Sequence, residues 1–134
     1  MSRENVEIVR RCIDAFNRRD LEAAGRDWDS EAKVDWSRSE GVEAGIYRGR
    51  EAVRGFWATW LELFDVFVME PDEFIDCGEH VVVPNRTCMQ GRGGIKVEAR
   101  SAAVVTVHDG RIVEWRLCQD RDEAVEAVGL EEQA

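Results

Sequence analysis

Apolar residues recur at three- and four-residue steps through the first half of the chain and at two-residue steps through most of the second. Val6, Val9, Ile13 and Phe16 trace one face of a first helix, with Ser2 placed to cap it and Asn17-Arg18-Arg19 placed to end it. Asp20 then caps a short second helix carrying Leu21, Ala24 and Trp28. Ala32 to Trp36 alternates as a strand does, which sends Val34 and Trp36 inward and Asp35 outward. A glycine-bearing loop from Ser37 to Gly49 contains Tyr47. It leads into a third helix from about Arg50 to Phe64, whose Val53, Phe56, Trp57, Trp60 and Phe64 share one face.

From Val66 the period is two. Val66 to Ile75 is interrupted at Pro71, the mark of an edge strand or a bulge, because proline cannot donate to a ladder. Cys77 to His80 turns into a strand from Val81 to Gln90, and Gly91-Arg92-Gly93-Gly94 turns into one from Ile95 to Val107. Asp109-Gly110 opens the last strand, Arg111 to Gln119. Asp120-Arg121-Asp122-Glu123 has the spacing of a capping box, and Gly129 is placed to end the helix it opens. Helices first, one inserted strand, then a four-strand antiparallel meander: the pattern is α+β.

A two-residue Asp109-Gly110 turn sets His108 against Arg111. Regular pairing then sets Thr106 against Val113, Val104 against Trp115, Ala102 against Leu117 and Arg100 against Gln119. That row carries little charge and is expected to form the concave face under the third helix. Asn85, Thr87 and Met89 line the same cavity by alternation, and Arg86 points the other way. The opposite row, Val97, Ala99, Ser101, Ala103, Val105 and Val107, is then an outer apolar strip, suited to a homodimer interface.

The 134 residues are read as one domain over 1–134, large enough to bury a core without metal or disulfide. A net charge of −10 with no basic cluster speaks against nucleic acid and anionic membrane surfaces as partners. No apolar run approaches the roughly 20 residues of a membrane span, and the N-terminus does not read as a signal peptide. Cysteines at 12, 77, 88 and 118 form no C-x-x-C pair, so a zinc or redox motif is absent and reduced thiols in the cytoplasm are expected.

Titratable candidates are few. His80 and His108 both fall at turns, where polar residues are favoured for solvation. Asp120 is better placed to cap a helix than to act as an acid, and Asp35 sits on the outward phase of its strand. Arg100 has two readings: a structural one, in an ion pair with a carboxylate such as Glu98 or reaching solvent at the rim, and a guanidinium fork that grips a ligand oxygen. Trp36, Trp57, Trp60 and Trp115 either bound a cavity or fill it. Tyr47 is a packing lid or a hydroxyl donor at its mouth. The ligand-pocket set is therefore Trp36, Tyr47, Trp57, Trp60, Asn85, Thr87, Met89, Arg100, Trp115, Leu117 and Gln119, with no catalytic residue and no metal or organic cofactor assigned.

The order of elements resembles the nuclear transport factor 2-like superfamily, and within it the SnoaL-like and ketosteroid-isomerase-like proteins. Asp14 to Leu21, Ala32 to Trp36, Tyr47 to Val53 and Asp109 to Val113 carry the resemblance. It implies a cystatin-like fold: a cone-shaped barrel of curved, mostly antiparallel sheet wrapped around the N-terminal and central helices, commonly as a homodimer. The isomerase's catalytic pattern falls on Cys12, Trp36 and about Ala102, none of which offers the needed acid–base group. The cyclase-type carboxylate position reads Glu114, which the register points outward.

Two functions follow as expectations. One is a cofactor-independent isomerase, cyclase, dehydratase or hydrolase acting on a small apolar or aromatic molecule. The other is a non-catalytic module that binds such a molecule or a partner protein. Fold alone does not choose between them.

Overall fold

The computed structural model describes residues 2–39, 43–91 and 93–133, with side chains for 3–39, 43–91 and 93–129. The expected Ser2 side-chain cap and the turn residue Arg92 lie outside them. In chain order the elements are α1 (Ser2–Asn17), α2 (Leu21–Ala24), β1 (Trp28–Asp35), β2 (Ile46–Arg48), α3 (Arg50–Leu63), β3 (Val66–Pro71), β4 (Ile75–Cys77), β5 (His80–Gln90), β6 (Lys96–His108), β7 (Arg111–Cys118) and α4 (Arg121–Gln133). No helix among the described residues is long and apolar enough to cross a membrane.

The seven strands form one curved, unclosed sheet in the order β2-β1-β7-β6-β5-β3, with β4 also pairing β5. Neighbours are antiparallel except β1 and β7, which run parallel. The fold is the α+β arrangement expected. β3 is an edge strand that ends at Pro71, where a missing ladder N–H costs least.

The helices bury their apolar stripes on the concave face. Val9, Ile13 and Phe16 of α1 and Val53, Phe56, Trp57 and Trp60 of α3 join Val81, Val83, Ala103, Val105, Val107, Ile112 and Trp115 of the sheet in the main core. α4 covers part of the convex face, where Ala124 and Val128 meet Val82, Ala102, Val104 and Cys118. Its first turn is capped as the spacing predicted: the Glu123 N–H donates to the Asp120 carboxylate (2.9 Å), and Glu123 in turn accepts the N–H of Gln119. The helix runs through Gly129 to Gln133, past the expected stop.

One local feature overturns the expected register. Asp109 and Gly110 both take positive φ (50° and 76°), as a type I′ turn requires, and His108 does face Arg111. The ladder shifts one step later. Val107 faces Ile112, but Thr106 faces Glu114, so Val113 is an extra residue on β7. Beyond this bulge Trp115 lies opposite Val105, Leu117 opposite Ala103 and Cys118 opposite Ala102.

The two rows of β6 therefore exchange faces. Ala103, Val105 and Val107 are buried in the main core, so this half of the expected strip is not an outer surface, whereas Val97 at its far end is exposed. Ala102 and Val104 lie beneath α4. Arg100 shares their convex side. It faces Arg86 across β5 and pairs with Asp72 at 3.3 Å, its side chain 67% exposed.

Two other boundaries differ from expectation. Trp28 opens β1 rather than riding on the second helix, which is a single turn. Within the Ser37 to Gly49 loop, Ile46–Arg48 forms β2 on β1.

Candidate functional site

The indoles pack against one another more than they enclose space. Trp57 stands edge-on to Phe16 (5.3 Å between ring centroids), Phe56 (4.9 Å), Trp36 (5.8 Å) and Trp115 (5.6 Å). Trp28 stacks on Trp115 at 6.0 Å and 19°. Such pairs contribute about 0.5–1.5 kcal/mol each beyond the area they bury. The indole N–H groups of Trp60 and Trp115 are buried with no hydrogen-bond partner among the described residues.

Open volume lies beside Trp57. A cavity of about 470 Å³ runs between α1, α2 and the start of α3. Its interior is built from Cys12, Ile13 and Phe16 of α1, Ala24 of α2, Trp28 of β1, Val53 and Trp57 of α3, Met69 of β3 and Trp115 of β7. Leu21, Glu22, Gly25, Arg26, Arg50, Glu51 and Arg54 complete its lining. The five charged groups among them belong to exposed or rim residues, so the charge gathers at the mouth. A volume of this size and an apolar wall suit a small organic ligand.

Local chemistry fixes the walls. Asp20 caps α2 by accepting the N–H of Ala23, and Gly25 closes that turn by donating its N–H to Leu21. The Arg50 guanidinium donates to the carbonyl of Trp28, joining the start of α3 to the start of β1. Trp28 in turn donates its indole N–H to Cys12 Sγ at 3.3 Å. Burial pushes the Cys12 thiol up to about 12, despite that hydrogen bond, and it stays protonated. Among the described residues no group of three or more His, Cys, Asp or Glu is arranged to hold a metal ion.

Of the residues chosen from sequence, only Trp57 and Trp115 line this cavity. Trp36 and Trp60 belong to the aromatic cluster beside it, 6.4 Å apart. Tyr47 packs on Phe56 (4.7 Å) and donates its hydroxyl to the Glu43 carbonyl, 2.8 Å away. Asn85, Thr87 and Met89 share one phase of β5. Asn85 is buried and donates to the Val83 carbonyl, Thr87 donates to Asn85, and Met89 packs against the core.

Leu117 is buried opposite Ala103. Gln119 lies past the end of β7 and donates to the Arg38 carbonyl, so it faces neither Arg100 nor the cavity. Arg100 is likewise on the convex side. Glu114 is outward as expected, between Lys33 and Arg116.

Missed from sequence were Trp28, Met69 and the arginines at 26, 50 and 54. Gly25 was the available signal: a glycine that closes the one-turn helix frees Trp28 to begin a strand.

The chain belongs to the SnoaL-like family, whose domain model matches residues 9–115. Solved structures of nuclear transport factor 2-like, ketosteroid-isomerase-like and cystatin-like folds share its architecture. Bal32a, from a soil-derived mobile gene cassette, is 23% identical over 87% of this chain and 88% of its own, with a TM-score of 0.79. A protein of unknown function with this fold from Burkholderia pseudomallei is 25% identical over 95% and 96%, with a TM-score of 0.75. A putative polyketide cyclase from Sinorhizobium meliloti is 25% identical over 83% and 93%, with a TM-score of 0.66. No protein of curated function matches the sequence significantly.

Proposed function

We propose that this chain is a small-molecule pocket protein whose α1–α2–α3 cavity holds an apolar or aromatic metabolite. The observation that carries the reading is the contrast between the apolar interior and the charged mouth. Burial of rings against Trp28, Trp57 and Trp115 gains ~25 cal/mol per Å² of apolar surface, enough for micromolar binding from contact alone. Among the described residues the Cys12 thiol, held neutral, is the only titratable side chain of the interior. Binding without catalysis is therefore the better-supported form of the proposal, because general acid–base work needs a group poised near the working pH.

A cofactor-independent cyclase or isomerase is the second reading, favoured by the similarity to the putative polyketide cyclase. We place the protein in the cytoplasm, in keeping with four free cysteines. A homodimer belongs to the same proposal. Exposed Val66, Ile95 and Val97 support it, and sedimentation at micromolar concentration tests it.

Native mass spectrometry of the purified protein, followed by titration with a neutral apolar dye, tests the pocket. Ala24→Leu puts extra side-chain volume into the cavity and should abolish dye binding in a folded protein. Equal binding by both forms would place the ligand elsewhere.

A further inference from the structure

We propose that the cavity selects aromatic acids, with Arg26 and Arg54 gripping the ligand's carboxylate at the mouth while its rings lie against Trp28, Trp57 and Trp115. The inference rests on the reading of this cavity as a ligand site and specifies what the site takes. Both arginines line the cavity, one following α2 and the other in the second turn of α3, so they approach the mouth from separate elements. Neither makes a hydrogen bond or ion pair through its guanidinium among the described residues. Elsewhere Arg10, Arg11, Arg38, Arg86, Arg100 and Arg121 each sit against a carboxylate, and the exposed Arg3, Arg18 and Arg48, which among the described residues do not, lie outside the cavity lining. In a chain with 28 acidic and 18 basic residues, carboxylates are in excess, and these two guanidiniums are left open beside an apolar hollow.

The acids nearby do not cancel them. Glu22 and Glu51 share the lining, at helical spacing from Arg26 and Arg54, yet neither forms an ion pair with them within 4.0 Å. Arg50 adds a third positive charge, with one nitrogen committed to the Trp28 carbonyl. Three arginines against two glutamates leave the mouth one unit positive in a protein of net charge −10. A ligand anion is attracted there and repelled by the rest of the surface.

The interior fixes the orientation. Ile13, Phe16, Ala24, Val53 and Met69 carry no polar group, and the neutral Cys12 thiol and Trp115 indole N–H carry no charge to balance a buried anion, so the carboxylate is better placed at the mouth. Two guanidiniums are suited to hold it through paired charge-assisted hydrogen bonds.

Isothermal titration calorimetry with naphthoic acid and its neutral isostere naphthamide tests this. The acid should bind about tenfold more tightly than the amide to the native protein, and the advantage should shrink as salt is raised. Arg26→Gln with Arg54→Gln should cost the acid about tenfold or more and leave the amide unchanged. Arg100→Gln, on the convex side, should alter neither. Equal affinity for acid and amide would overturn the selection while leaving the cavity as a ligand site. Binding of neither probe would overturn both.

Discussion

Asn17 and Met69 bond to each other twice: the Asn17 amide donates to the Met69 carbonyl (2.8 Å) and accepts the Met69 N–H (2.9 Å). The last residue of α1 thereby acts as one residue of a missing strand beside β3, whose other side pairs with β5. Met69 is 6% exposed and lines the cavity, so this pair also fixes one wall of the site. Asn17→Ala should destabilise the fold by about 2 kcal/mol through two lost bonds and a stranded backbone pair. It should also weaken ligand binding. Denaturant unfolding reads the first effect and calorimetry the second; a neutral result would mean that water replaces the amide.

Arg19 holds a second junction. Its φ is 63°, unusual for a side-chain-bearing residue, and its guanidinium donates to the carbonyls of Leu61, Phe64 and Asp65 at the end of α3. Leu61 is in the last turn of α3, Phe64 is its C-cap and Asp65 follows, so the guanidinium sits where a helix C-terminus leaves acceptors unpaired and favours positive charge. Arg19→Ala loses the bonds and keeps the strained backbone, whereas Arg19→Gly loses the bonds and relaxes it. The expected order of stability is native, then Gly, then Ala, with the Ala variant about 1–2 kcal/mol below native. Thermal unfolding that ranks Gly below Ala would contradict it.

Cys12 gives a pH signature. Its thiol is raised by burial from an ordinary 9.0 to about 12, so between those values the unfolded chain loses a proton that the folded chain keeps. That contribution to stability is intact below about pH 9 and is lost as pH rises toward 12, at up to about 1.4 kcal/mol per pH unit. Cys12→Ala should flatten this part of the alkaline profile even though it leaves a small hole. Identical slopes for the two proteins from pH 9 upward would mean that the thiol ionises freely in the fold.

The protein should not move a steroid double bond from the β,γ to the α,β position. Cys12 lines the cavity as a neutral thiol, Trp36 sits in the aromatic cluster, and Ala102 lies beneath α4 on the convex side. A rise in enone absorbance with a 5-ene-3-ketosteroid, abolished by heat, would disprove this.

Much of the architecture was legible because it rests on local chemistry. The apolar stripe of α3, the cap at Asp120 and the turn at Asp109-Gly110 are each written in a few adjacent residues. The candidate site depended on parity along β6 and β7, and parity does not survive an unseen insertion. Ile112, Trp115 and Leu117 are all buried, and their spacing of three and then two is the trace that the Val113 bulge leaves in the sequence. Read as strict alternation, it moved Arg100 to the concave face and Val105 to the convex one. The cavity also draws on α1, α2, α3 and three strands at once, a convergence that only the tertiary fold supplies.

The cavity has walls of unequal stiffness. On one side stand Trp28, Trp57 and Trp115, locked ring against ring, each shift of one requiring shifts of the others. Another part of the wall is α2, one turn of four residues steadied by the Asp20 cap. Guests of different thickness would therefore be accommodated by displacement of that single turn, with the indole wall serving as a fixed gauge. Variation in what such a pocket accepts can then arise from changes in a handful of positions near Leu21–Gly25, leaving the aromatic half of the molecule untouched.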